Sequence, residues 1–169
     1  MKREFSAGGV VYKKVKGDAS RDKILWLVTK SKPSKEYPKD VWRLPKGWLD
    51  DSDGGKKPGQ LASGIKRASG ERIVKVAVKE VAEEGGVGVK VVKRIITDKY
   101  FYTNKENEKV MKFVNYFLME WREDLEEGFG EETEKVEWLI FDKANERLSY
   151  ARERKVLENA KRIIDNMLS

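Results

Sequence analysis

The stretch "ERIVKVAVKEVAEEGGV", Glu71 to Val87, constrains the chain more than any other, because its period admits one conformation only. Placed on a helix at 3.6 residues per turn, Val74, Ala77, Val78 and Val81 form one apolar stripe that must face a core. Glu80, Glu83 and Glu84 recur at i, i+3 and i+4 on a neighbouring stripe, and Lys75 and Lys79 take the remaining side. In isolation this is unfavourable. Like charges at these spacings cost about 0.2–0.5 kcal/mol per pair, and acids in a last turn oppose the helix dipole by roughly 0.3–1 kcal/mol each. Two compensations are open: neutralisation by Lys75 and Lys79 on a patch that arose by chance, or a divalent cation held by hard carboxylate oxygens.

The chain contains neither Cys nor His. Disulfides, thiolate zinc sites, Cys nucleophiles and Ser-His-Asp triads are thereby excluded. Catalysis is left to carboxylates, Lys, Tyr, Ser/Thr or a bound group, and a protein-held metal is restricted to an oxygen-preferring ion such as Mg²⁺ or Mn²⁺. The 36 basic against 29 acidic residues give +7, suited to an anionic partner, a phosphorylated metabolite or RNA, and equally to plain solubility.

The 169 residues suit a single domain spanning 1–169. No apolar run approaches the roughly 18 residues of a membrane span, and the start "MKREFSAGGVVYKK" has no signal-peptide pattern, so a cytoplasmic location is expected. "SAGGVVYKKV" and "KILWLVTK" read as strands around the turn "KGDASRD". "DVWRLPKG" is a third extended piece, and residues 48–70 a long loop with a short helical turn at "QLASGIKR". Two long strands flank the hairpin "NKENE", "KVEWLIF" adds another strand, and a last helix presents Val156, Ala160, Ile163 and Met167 with Leu157 and Ile164 beside them. The sum is an α/β fold, a mixed sheet with helices on its faces.

"KEVAEEGGV" resembles the core of the Nudix box: a basic residue, Glu, an apolar residue, any residue, two Glu, any residue, Gly, and an apolar residue. Lys79, Glu80, Val81, Glu83, Glu84, Gly86 and Val87 match in order, and Glu71 stands upstream with seven residues between it and Lys79. "SAGGVVY", "WRLPKGWLD" and "VNYFLMEW" resemble further strands of the family. Two departures stand out: Lys79 replaces the usual Arg, and Gly47 and Glu71 are separated by 23 residues, an insertion of about 18 within loop 48–70.

The resemblance implies a Nudix α/β/α sandwich and Mg²⁺-dependent hydrolysis of a phosphoanhydride in a nucleoside diphosphate-linked substrate. Carried over residue by residue, it makes Glu80, Glu83 and Glu84, with the backbone carbonyl of Lys46, the metal ligands, and Glu71 their orienting partner. Glu80, Glu83 and Glu71 form the catalytic set, with the general base among Glu131, Glu132 and Glu134, Glu134 being preferred. "WRLPKG" and "ERLSYARERKVLENA" resemble the diadenosine polyphosphate branch. Arg43, Lys46, Lys99, Lys109 and Lys112 are the candidates for polyphosphate contacts, and Tyr102 and Tyr150 for base stacking. Two rival readings are a nucleoside triphosphate or RNA 5′-end pyrophosphohydrolase, and a binding module that holds RNA or nucleotide without turnover.

Overall fold

A computed structural model describes residues 1–17 and 22–169 of the chain. The turn expected at 16–22 lies largely outside the described residues. Strands β1 (Lys2–Lys16) and β2 (Asp22–Ser31) are followed by the short strands β3 (Trp42–Arg43) and β4 (Lys46–Trp48), then by a small hairpin, β5 (Asp51–Ser52) and β6 (Lys57–Pro58). Helix α1 (Gly70–Gly85) leads into the long hairpin of β7 (Val87–Thr103) and β8 (Lys109–Asp124), turned at the expected "NKENE". Strand β9 (Thr133–Leu139), helix α2 (Phe141–Arg147) and helix α3 (Ala151–Leu168) complete the order.

The main sheet runs β3-β2-β1-β8-β7, with β4 added to β1 and β9 to β2. It is mixed, because β1 and β8 pair in parallel from Lys2–Val110 to Tyr12–Glu120 while the other pairs are antiparallel. Alternation along β1 divides the core in two. Ala7 and Val11 face α1 and its Val76, Ala77 and Val81. Val10 and Tyr12 face the layer of α2 and α3, with Ala144, Val156, Leu157, Ala160 and Ile164. The expected helix–sheet–helix sandwich is therefore present, its two cores separated by the sheet.

Helix α1 begins where Ser69 caps it, accepting the Arg72 N–H at 3.1 Å. It stops at Gly86, which adopts φ 70° and donates to the Ala82 carbonyl, while a Cβ there would press on the Phe129 backbone. Its buried face differs from the simple stripe. Val76, Ala77, Val81, Glu84 and Gly85 are buried, and Val74 and Val78 only partly so. The helix is thus rotated on the sheet toward its own acids, taking Glu84 into the interior.

Three other expectations are corrected. Residues 48–70 are folded: the Asp50 carboxylate accepts from the Leu61 and Ala62 amides at 3.0 and 2.7 Å, and Ala62, fully buried, accepts from Phe5 N–H at 2.7 Å. Within this stretch, "QLASGIKR" forms consecutive turns, among them the short helical turn closed by Ser63 N–H on the Gly59 carbonyl at 2.9 Å. Phe141, read as the end of a strand, opens α2, since Ala144 and Leu148 at its i+3 and i+7 positions fill the second core. On α3, Val156, Leu157, Ala160 and Ile164 are buried and Ile163 partly so, while Met167 leaves the apolar stripe, being 54% exposed.

Candidate active site

The acidic end of α1 packs on the segment that runs from β3 through β4. Glu84, 5% exposed, accepts from the Lys46 N–H at 3.0 Å through Oε1 and from the Arg43 guanidinium at 3.2 Å through Oε2. Arg43 is buried too, donating to Ser31 Oγ at 2.6 Å and lying over the Tyr37 ring at 4.3 Å. Burial raises the Glu84 carboxyl above its ordinary value, opposed by Arg43 and the Lys46 amide. Glu80 lies against Gly47, where any side chain would collide with its carboxyl. Among the described residues Glu80 has no hydrogen-bond or ion-pair partner, and burial, then the charges of Glu84 and Glu83, push it up to about 8. Glu83 remains 54% exposed and meets Lys79 at 3.4 Å.

The backbone at Lys46 completes this side. Ladder bonds between β1 and β4 pass through Phe5–Leu49 and Gly9–Pro45. Lys46, opposite Gly8, is therefore at a non-bonded position, and both its N–H and its carbonyl point away from β1, toward α1. Two of the expected participants are not brought here. Glu71 is 81% exposed and pairs with Lys75 at 3.6 Å. Glu134 is held by Lys30 at 2.9 Å, whereas Glu132 is the acid of its segment whose charge is felt at Glu80 and Glu84. That segment is tied to α1 by Gly130 N–H on the Glu83 carbonyl at 2.6 Å and by Thr133 Oγ1 on the Glu84 carbonyl at 2.8 Å.

On the other face of the same sheet, a row of polar side chains crosses three strands: Glu4 on β1, Lys112 on β8 and Tyr100 on β7. Glu4, buried, accepts from Tyr102 at 2.6 Å and from the Trp48 indole at 3.0 Å, with Lys112 at 4.0 Å. The Lys46 ammonium, also buried, donates to Tyr100 at 3.3 Å. Burial and the Lys46 charge lower Lys112 to about 8, and burial and the Arg43 charge lower Lys46. Above the row, Arg152 of α3 stacks over Tyr100 at 3.8 Å and over Tyr150 at 4.4 Å, and its Nε stands 3.7 Å from Asp98.

Of the candidate substrate residues, Lys46, Lys112 and Tyr102 are thus brought together, with Tyr150 reached through Arg152. Lys99 is exposed on the opposite side of β7 from Asp98 and Tyr100. Lys109 lies over Phe101 at 4.8 Å, and Arg43 is committed to Glu84. Glu4, Trp48, Tyr100 and Arg152 were not foreseen. The one available signal was the alternation of polar residues on strands that otherwise bury that face.

A hard divalent ion fits the donor chemistry: Glu80 is a half-buried carboxyl without a partner among the described residues, Glu83 is held only by an exposed pair with Lys79, and the Lys46 carbonyl faces the same side. The side chains as they stand do not close a cage, since among the described residues no group of three His, Cys, Asp or Glu is arranged to hold an ion.

The sequence pattern of the NUDIX domain matches residues 14–160. The chain belongs to the NUDIX family. MutT4 of Mycobacterium tuberculosis is 27% identical over 168 residues, covering 98% of this chain and 58% of that protein, so the chain spans little more than half of that relative. Among solved structures, a Caenorhabditis elegans Ap4A hydrolase in a binary complex superposes with a TM-score of 0.65 at 20% identity, over 96% of this chain and 98% of the other. The Nudix hydrolase RenU of Mycobacterium smegmatis gives 0.64 at 14% identity, over 98% and 88%. The NUDIX domain of Shewanella oneidensis NrtR, complexed with ADP ribose, gives 0.58 at 13% identity, over 96% and 88%. These likenesses establish a shared Nudix fold. No helix among the described residues is long and apolar enough to cross a membrane.

Proposed function

We propose that the chain acts as one domain that hydrolyses a phosphoanhydride in a nucleotide, its substrate a dinucleoside polyphosphate such as diadenosine tetraphosphate. The observation that supports this most is the double role of Lys46. Its backbone belongs to the acidic side, on Glu84, and its ammonium to the lysine–tyrosine side, on Tyr100. A phosphate chain lying across this turn meets acids suited to a metal on one side and two buried cations on the other.

In this reading Glu80, Glu83, Glu84 and the Lys46 carbonyl would hold Mg²⁺ or Mn²⁺, which would supply neutralisation of phosphate charge and a lowered pKa for the attacking water. Water adds to phosphorus, the phosphorus–oxygen bond of the anhydride breaks, and the leaving phosphate departs with the electron pair. A carboxylate takes the proton of the water, and Glu132 is favoured over Glu134 because its charge reaches Glu80 and Glu84. Lys46 and Lys112 bind a phosphate, and Tyr102 offers its ring to a base.

The test is a product assay with Mg²⁺: diadenosine tetraphosphate yielding ATP and AMP supports the reading. A nucleoside triphosphate cleaved to monophosphate and pyrophosphate, or pyrophosphate released from RNA 5′ ends, would replace it with one of the rival pyrophosphohydrolase functions. In the same assay Glu83→Gln is expected to lower kcat by about 10²–10⁴-fold with the fold retained. Its half-exposed position makes it the acid whose loss perturbs the core least.

Lys112 sets a pH dependence. Its folded value, about 8, lies below its ordinary 10.5, so between these values the unfolded chain binds more protons and this group's contribution to stability rises with pH. Binding runs the other way, because the phosphate needs the ammonium. KM is expected to rise roughly tenfold between pH 7 and 9. A Lys112→Met variant should start from the high KM and show no such rise.

A further inference from the structure

We infer that Glu153, in the first turn of the C-terminal helix α3, is a positioning residue that holds the Leu44–Gly47 turn in its active geometry. The inference rests on the reading of the Lys46 turn as part of the active site. Glu153 is fully buried, and its Oε1 accepts from the Leu44 N–H at 2.6 Å. Among the described residues its Oε2 has no partner, and the charges of Lys46, Arg43 and Arg152 act on it without any of them forming an ion pair with it. A buried carboxylate with an unmet oxygen is a costly way to fill a site that an apolar side chain of similar size would fill better.

What the carboxylate supplies is an acceptor at one backbone amide. Accounting for the donors of the turn shows why that matters. Pro45 has no N–H. Lys46 N–H is taken by Glu84 of α1, and Leu44 N–H by Glu153 of α3. The two amides that flank the proline are therefore each held by a buried glutamate, from helices packed on opposite faces of the sheet. The Pro45 carbonyl, bonded to Gly9 N–H at 3.1 Å, fixes the turn to β1 between them. With Glu153 removed, the Leu44 side of the turn keeps its apolar packing but loses its only hydrogen bond from α3 among the described residues, and Lys46, whose carbonyl and ammonium serve the two halves of the site, can shift.

Two variants test this. Glu153→Leu keeps the volume and loses the acceptor; Glu153→Gln keeps an acceptor oxygen. Hydrogen exchange at the Leu44 and Lys46 amides is measured together with kcat and KM on diadenosine tetraphosphate, per folded molecule judged by circular dichroism. For Glu153→Leu, exchange at both amides should accelerate at least about tenfold. Its kcat should fall roughly 10–100-fold with a smaller change in KM, as misplacement of catalytic groups predicts. Glu153→Gln should recover wild-type exchange and a kcat within about threefold. A packing role alone predicts that Glu153→Leu matches wild type in both readouts, and that result overturns the inference. So does a Glu153→Gln variant that exchanges or turns over as poorly as a Leu variant is expected to, an outcome that decides the matter even where Glu153→Leu does not fold. Failure of wild type to hydrolyse any nucleotide would count against the proposed function instead, and the exchange arm would still decide whether Glu153 holds the turn.

Discussion

Replacing Arg43 with Ala is expected to destabilise the fold by about 3–5 kcal/mol, the loss that follows when one partner of a buried ion pair is removed and the other stays behind. The partner is Glu84, which would keep only the Lys46 amide in an environment that already raises its carboxyl. Arg43 also leaves Ser31 Oγ without its donor and Tyr37 without the stacked guanidinium. For a chain of this length such a loss lowers Tm by roughly 6–20 °C. Arg43→Lys should recover only part of it, because an ammonium cannot reach Ser31 and Glu84 together with a planar fork. Thermal unfolding of the three proteins in the absence of divalent metal is the measurement. An Ala variant within 1 kcal/mol of wild type, an approximate threshold drawn from ordinary surface pairs, would show that the pair contributes little to the fold.

Glu80→Gln should separate stability from activity. The Glu80 carboxyl, pushed up to about 8 from an ordinary 4.5, binds a proton in the folded chain through that window while the unfolded chain does not. Stability of the metal-free protein is thus highest at the acidic end of the window and declines as pH rises through about 8, where the folded carboxyl ionises. An uncharged Gln removes that decline, so at pH 8 and above the metal-free variant should melt higher than metal-free wild type. Mg²⁺ should raise Tm for wild type and do little for the variant, since a ligand stabilises only the state that binds it. Turnover should drop by about 10²–10⁴-fold. A metal-free Glu80→Gln protein that melts lower than wild type at high pH would mean that the carboxylate is satisfied by the fold itself.

The parts of this protein that were legible in the sequence are those whose partners lie within one turn or one strand. The α1 box was visible because Glu80, Glu83 and Glu84 recur at helical spacing, and the β7–β8 hairpin because "NKENE" separates two β-rich runs. The different fates of those three acids were not visible. Spacing places Glu83 and Glu84 side by side, and only the rotation of α1 on the sheet exposes one and buries the other against Arg43. Lys112 and Lys99 carry the same charge on neighbouring strands, yet Lys112 is buried beside Glu4 and Tyr102 while Lys99 is exposed and Lys109 lies over Phe101.

Sequence alone bounded the chemical repertoire, since without Cys or His a protein-held metal is restricted to oxygen ligands, and it carried the family, through the match of Lys79 to Val87 and Glu71 to the pattern of the Nudix box. Tertiary structure decided which residues share a site. Glu4 meets Tyr102 and Trp48, and Leu44 meets Glu153, across separations of 98, 44 and 109 residues. Those meetings depend on the pairing of β1 with β4, on β8 lying parallel to β1 and antiparallel to β7, and on α3 closing over that face. No local period encodes such distances, because register between remote strands is set by the packing of the whole sheet.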